Sequence, residues 1–335
     1  MRFGIFDHMD RGTLAVGAQY RARLTLIEAC ERAGFYAYHL AEHHGTPLGL
    51  ACSPSVFLAA VAQHTSRIRF GPLVYTLSIH HPLRLIEEIC MLDHLSNGRL
   101  ELGIGRGVSP IEMGFYGVGN DARERFEETY ATVMQGLTQP SLNFTGKYYS
   151  FKNVPLEIKP LQTPHPPLWY GVAKPDSCAW VVSQGMNMVN SGTALEAGAI
   201  TARFRDEWSR GAHAAKPLPL MGLNRHVVVA ATDAEAFKLA RGPYQRWYNS
   251  LLHLWRVHAM KIPLSFPDDL PGAIEAGYCV VGSPSTVCEN LTAQIKTAGI
   301  NYLVSRLAFG ELPLEASLQS VALLEREVMP ALRDL

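Results

Sequence analysis

The sequence has no CxxC spacing: its six cysteines, Cys30, Cys52, Cys90, Cys178, Cys279 and Cys288, are scattered. That excludes a zinc ribbon and gives no disulfide framework, so a reducing cytoplasm is the expected home. Neither charge is in excess, since 30 Lys and Arg face 30 Asp and Glu, and no basic cluster stands out. A nucleic-acid footprint and an anionic-membrane patch are therefore not expected. No apolar run approaches the ~20 residues of a membrane helix. The stretch from Met1 to His8 lacks the apolar core and small-residue cleavage site of a signal peptide. Internal repeats and low-complexity segments are absent too.

What remains is a long, apolar chain. With 335 residues and 47% hydrophobic content, it has material for two ordinary domains or one βα-barrel with insertions. Strand-like runs alternate with helical periodicity from the start: Arg2 to Phe6, Phe35 to Leu40, Ile68 to Tyr75 and Leu100 to Ile104 read as strands. Helices follow at Tyr20 to Ala33, from Pro54 to about His64, from Pro82 to Leu95, and from Arg123 to Leu137. The second half is less regular. Strands are expected at Leu168 to Val172, Asn187 to Asn190, Leu220 to Ala230 and Tyr302 to Leu307, with helices after each and a closing helix from Leu314 to Leu332. Two stretches, about 141–167 and 243–282, read as insertions. Eight strand–helix units argue for a closed (β/α)8 TIM barrel over residues 1–335 as a single domain. An open doubly wound sheet is the competitor, and no GxGxxG opens its first helix.

The chemistry concentrates at strand ends. Leu100-Glu101-Leu102-Gly103-Ile104-Gly105-Arg106-Gly107 runs from an apolar strand into glycines flanking one arginine. Such a turn lets backbone approach a ligand, and the guanidinium is a fork for phosphate or carboxylate. The alternative is an arginine in a surface ion pair. His43 and His44 follow strand 2, His80 and His81 strand 3, and Lys174 strand 5. In a barrel these ends converge. Adjacent histidines on extended backbone point opposite ways, with only Asp7, Glu42 and Glu112 as nearby carboxylates, so no metal site is expected. Lys174, Ser177 and the helix opened by Pro175 suit an anion, although Asp176 sits in the same turn.

Taken together, Ala41-Glu42-His43-His44-Gly45-Thr46, the run Ser66 to Val74, and the run His80 to Gly107 resemble the bacterial luciferase-like flavin monooxygenase family. The match covers most of residues 1–190 and is weaker at Val280-Val281-Gly282-Ser283-Pro284. The resemblance implies a βα-barrel, usually a homodimer, that receives reduced FMN from a separate flavin reductase. The flavin reacts with O2, and its hydroperoxide oxidises a small organic substrate, most often a carbonyl compound. It implies that His43 stabilises the peroxyflavin or acts as acid/base beside it, and that Arg106 contacts the FMN phosphate. Leu73 and Val74 match a dipeptide that commonly has a cis bond beneath the ring. Ala173, Lys174 and Ser177 match the second phosphate-binding segment. Gly105 stands where luciferase has a reactive cysteine, which argues against light emission, and Lys174 stands where it has a serine, which keeps phosphate binding but exchanges a hydroxyl for an ammonium. The ring slot is expected among Phe6, Leu73, Val74 and Ile104, with Trp247, His253, Trp255 and His258 as lid or as insertion core. A deazaflavin-dependent hydride-transfer enzyme and a non-catalytic flavin-binding protein are the alternatives.

Overall fold

Short buried strands and longer amphipathic helices alternate along the computed structural model, which describes every residue except Leu264 and Ser265. The first half contains β1 (Arg2–Asp7), α1 (Val16–Arg32), β2 (Ala37–Leu40), α2 (Pro54–His64), β3 (Arg69–Pro72), β4 (Tyr75–Thr76), α3 (Pro82–Leu95), β5 (Leu102–Gly105), α4 (Pro110–Phe115) and α5 (Ala122–Thr138). An antiparallel hairpin follows, β6 (Ser141–Thr145) with β7 (Ser150–Pro155), inside the stretch read as the first insertion. The second half contains β8 (Leu168–Gly171), α6 (Cys178–Ser183), β9 (Asn187–Asn190), α7 (Ala194–Arg210), β10 (Met221–Val229), α8 (Asp233–Val257), α9 (Leu270–Glu275), β11 (Cys279–Gly282), α10 (Pro284–Ala298), β12 (Tyr302–Arg306), α11 (Leu314–Leu323) and α12 (Met329–Leu332). A π-helical turn, Leu324–Val328, joins the last two helices into the expected closing helix.

The main sheet is ordered β3-β2-β1-β12-β10-β9-β8-β5-β4, and its pairings are parallel. Its two ends, β3 and β4, are halves of one strand interrupted at the cis peptide Leu73–Val74. A bridge between Phe70 and Leu100 ties β3 to the start of β5. The ring is therefore a barrel, as the strand–helix pattern predicts. Strand period 2 sorts its residues. Tyr302 and Val304 join Phe6, Ala41, Leu73 and Trp169 in an apolar cluster inside the ring, whereas Leu303 joins the larger core beneath the helices.

The region predicted as a second insertion is built differently. Pro243 lies within α8, which runs unbroken to Val257. Proline costs the helix one backbone hydrogen bond, but Tyr244 and Trp247 in the turn that follows it are fully buried and offset that loss in packing. Cys279–Gly282 is a further parallel strand, pairing with His226–Val229 beyond the part of β10 that meets β9. The remaining two residues of that stretch, Leu264 and Ser265, lie outside the described residues. No helix among the described residues is long and apolar enough to cross a membrane.

Candidate active site

A cavity of about 830 Å³ opens at the C-terminal ends of the strands. His43, Leu73, Val74, Gly105 and Arg106 border it, and Ala173, Lys174 and Ser177 border it from β8. The residues picked from sequence thus meet in one place.

The glycines around Arg106 have a more specific cause than ligand approach. Gly103, Gly105 and Gly107 alternate along one face and meet the interrupted strand. A Cβ at Gly103 would lie 2.1 Å from the Pro72 carbonyl oxygen, one at Gly105 2.5 Å from Val74 Cγ2, and one at Gly107 2.7 Å from Thr76 Cγ2. Only hydrogen at these positions lets the Leu73–Val74 shelf lie against β5. The same alternation turns Ile104 outward into the core beneath the helices, so it does not line the slot, unlike Phe6.

His43 is oriented from the far side of its ring. Its Nδ1 lies 3.1 Å from Glu112 Oε1, and the same carboxylate accepts the His44 backbone N–H at 2.7 Å. Ser109 caps α4, accepting the Glu112 N–H at 3.2 Å, which fixes the turn that presents this carboxylate. With Nδ1–H donated to Glu112, Nε2 of His43 carries the lone pair, and no described residue bonds to it. The other histidines are committed. His44 Nε2 lies 3.1 Å from Glu42 and its Nδ1 2.7 Å from the Tyr116 hydroxyl. His80 Nε2 lies 2.8 Å from the same Glu42 oxygen. His81 is turned onto Tyr149 and Phe151 of the hairpin. Burial pushes the Glu42 carboxyl up, but the His80 charge, hydrogen bonds from His44 and His80, and the Thr76 N–H outweigh it and hold it down at about 2. Glu42 in turn raises His80 against the effect of burial.

The other end of the cavity is cationic. Arg106 is exposed there, and no described carboxylate pairs with it, so the surface ion-pair reading fails. Its backbone carbonyl accepts the Ser78 hydroxyl at 2.7 Å, anchoring the loop. Lys174 is likewise exposed and unpaired among the described residues. The expected helix after Pro175 is only a 3₁₀ turn, Pro175–Ser177, before the six-residue α6. A helix dipole therefore adds little, and the two cations with the Ser177 hydroxyl supply the anion-binding character.

The sequence model of the family described as Luciferase-like monooxygenase matches residues 1–302. The chain belongs to the luciferase-like monooxygenase family. It is 45% identical over 330 residues, 98% of its length and 96% of the other, to the uncharacterized protein y4wF of Sinorhizobium fredii. It is 30% identical over 193 residues to the oxygenase component of the flavin-dependent trigonelline monooxygenase of Acinetobacter baylyi, covering 56% of this chain and 53% of that one. Its fold matches the monooxygenase RslO1 from Streptomyces bottropensis (TM-score 0.88, 23% identity, 98% and 99% covered). It also matches the oxygenating constituent of 3,6-diketocamphane monooxygenase from Pseudomonas putida, solved with FMN (TM-score 0.78, 20% identity, 98% of each chain).

Within this luciferase-like chain, several site features were not read from sequence. Glu112 was counted only as a nearby carboxylate. Its Ser109-Pro110-Ile111-Glu112 capping pattern was the available signal. Arg123 of α5 also reaches the cavity wall, paired with Glu127 at 2.8 Å. The aromatic and histidine residues of α8 do not close the cavity as a lid. Trp247 is buried in a satellite core, Trp255 packs against Ile111, and His253 and His258 are exposed on the helix end.

Proposed function

We propose that this luciferase-like chain is the oxygenase component of a two-component monooxygenase, using FMN reduced by a separate reductase, and O2, to oxidise a small organic carbonyl compound. The observation that carries this reading is one cavity with Arg106 and Lys174 at one end, His43 at the other and the Leu73–Val74 shelf between. Those walls fit a flavin mononucleotide: cations for the phosphate, an apolar slot for the ring, and a polar group at its far edge. Bound reduced flavin supplies the electrons and the oxygen activation. The protein's contribution is to bind, orient and shield. Arg106 and Lys174 hold the phosphate, with Ser177 as a hydroxyl donor. Leu73, Val74 and Phe6 exclude water from one face of the ring. His43 Nε2 takes or returns a proton at the reacting edge, its tautomer set by Glu112. A separate reductase is supported by the relative named as an oxygenase component. A homodimer in the cytoplasm completes the proposal.

The test is a titration of the full-length protein with FMN and with a deazaflavin, followed by visible spectroscopy. Oxygen uptake with reduced FMN and a panel of aldehydes and ketones comes next. Faster oxygen consumption with a carbonyl compound, and its oxygenated product, supports the proposal. Hydride transfer from reduced deazaflavin without oxygen uptake assigns the chain to the deazaflavin alternative. Flavin binding with no turnover on any member leaves it a flavin-binding protein.

A further inference from the structure

Beside the flavin cavity the barrel mouth contains a second polar patch, and its groups lack partners. Gly222 pairs with Tyr302 of the neighbouring strand, and a Cβ on it would meet the Tyr302 and Val189 side chains of the interior cluster. Strand period 2 then places Asn224 and His226 on the same inner face. Likewise Val304 lies in the interior cluster, so Arg306 follows it two positions nearer the mouth. All three side chains are buried. The Asn224 Oδ1, both ring nitrogens of His226 and the Nε of Arg306 have no hydrogen-bond partner among the described residues. Four such atoms on one inner face are unusual, because a buried polar group without a partner costs stability.

Arg306 is the decisive member. It is 6% exposed, and no described carboxylate forms an ion pair with it. Its guanidinium lies 5.0 Å from the Phe6 ring centre and 5.4 Å from that of Trp247. Stacking occupies the faces of the guanidinium and leaves its N–H edge to seek an acceptor. Asp10 is the one carboxyl whose charge acts on Arg306. One of its oxygens takes the Gly310 N–H at 2.6 Å while the other has no described partner, and burial pushes the carboxyl up to about 7, so it neutralises Arg306 poorly. His8 and His226 are held neutral by burial and by the Arg306 charge. The patch adjoins the flavin cavity: Phe6 borders both, and the His8 ring lies 5.6 Å from that of His43.

We propose that this patch is the substrate's seat and that the carbonyl substrate is also an organic anion, its carboxylate gripped by the Arg306 fork with Asn224 and His226 bonding further polar groups. The seat as a substrate site rests on the flavin reading above, whereas anion binding by Arg306 does not. Binding would neutralise the buried charge and satisfy the orphaned atoms together. A neutral aldehyde or alkane would leave the charge uncompensated.

The experiment titrates matched pairs, benzoate with benzamide and hexanoate with hexanamide, into the protein with and without FMN. The same is done for Arg306→Met and Arg306→Lys. At least one carboxylate is expected to bind ten-fold or more tightly than its amide. Arg306→Met abolishes that preference and Arg306→Lys keeps part of it. The Arg306→Met variant also melts about 2 °C or more above the parent, since an unpaired buried charge is removed. FMN affinity is unchanged in both variants. Equal binding of acid and amide in the parent, or a preference that survives in Arg306→Met, overturns the proposal. If Arg306→Met fails to fold, a reduced preference in a folded Arg306→Lys supports it and full retention refutes it. Carboxylate preference in a protein that binds no FMN upholds the anion seat and refutes the flavin reading. FMN binding without carboxylate preference does the reverse.

Discussion

Arg106 and His43 differ in what their loss should do. Arg106 is a planar fork with no described protein acceptor, so its N–H groups are free for a phosphate. Replacing it with alanine removes a charge-assisted bond, and FMN affinity is expected to fall by about 1.5–3 kcal/mol. Calorimetric titration checks this, and unaltered affinity removes Arg106 from the phosphate site. His43 should behave in the opposite way. His43→Ala is expected to slow turnover about 10²-fold or more, with little change in FMN affinity, as read by single-turnover kinetics on protein loaded with reduced FMN. Glu112 positions that ring through Nδ1. Glu112→Ala should therefore lower kcat with KM unmoved, and Glu112→Gln, which still offers an acceptor, should recover most of the rate. Equal loss in both variants would mean that charge, rather than tautomer, is what His43 needs.

At the scale of elements, the site depends on how β5 meets the broken strand. Gly105 has no room for a side chain: a Cβ there lies 2.5 Å from Val74 Cγ2. Gly105→Ala is expected to destabilise the protein by about 1–3 kcal/mol and to weaken FMN binding, because Val74 must move. Urea unfolding monitored by circular dichroism measures the first effect, and an unchanged midpoint would show that the shelf yields freely. This also bears on the luciferase resemblance, since a cysteine at 105 would meet the same obstacle. The eight-fold alternation of strand and helix was legible because period 2 and period 3.6 are local signals. The break at Leu73–Val74 was not locally legible, and only the resemblance suggested it. The run of α8 through Pro243 contradicted a rule that holds for isolated helices, since burial of Tyr244 and Trp247 outweighs one missing bond. The short strand Cys279–Gly282 falls inside the stretch that reads as an insertion, because four residues give too little periodicity to separate strand from coil. At the site, the residues that lie on strand ends were found. Their partners were not, because Glu112 meets His43 across 69 positions and Arg306 meets Phe6 only through barrel closure.

The whole barrel carries an acid-sensitive interior. His8, His39 and His226 are buried, and burial holds all three neutral, with His39 down at about 3. Their ordinary value is 6.5. Below that pH the unfolded chain takes up protons on all three while the folded chain does not, so stability falls with pH. Asp10 opposes this trend. Burial raises it from 3.8 to about 7, so across the same window the folded chain holds a proton that the unfolded chain lacks. His80, raised by Glu42, binds its proton more tightly in the folded chain and so also opposes the fall near pH 6.5. By about pH 5 the unfolded chain thus holds about two protons more than the folded one, and the loss there is on the order of 2–3 kcal/mol per pH unit. Below pH 4.5, release of the Glu42 interaction adds to the fall, as its folded value is about 2. Urea midpoints recorded from pH 6.5 to 4.5 should therefore drop, more steeply at the lower end. His39→Gln, at a residue away from the flavin cavity whose one bond among the described residues is to the Tyr302 hydroxyl, should lessen the slope by about 1.4 kcal/mol per pH unit. A midpoint that holds level or rises toward pH 5 would mean that water reaches these rings and that the inner polar layer is solvated rather than sealed.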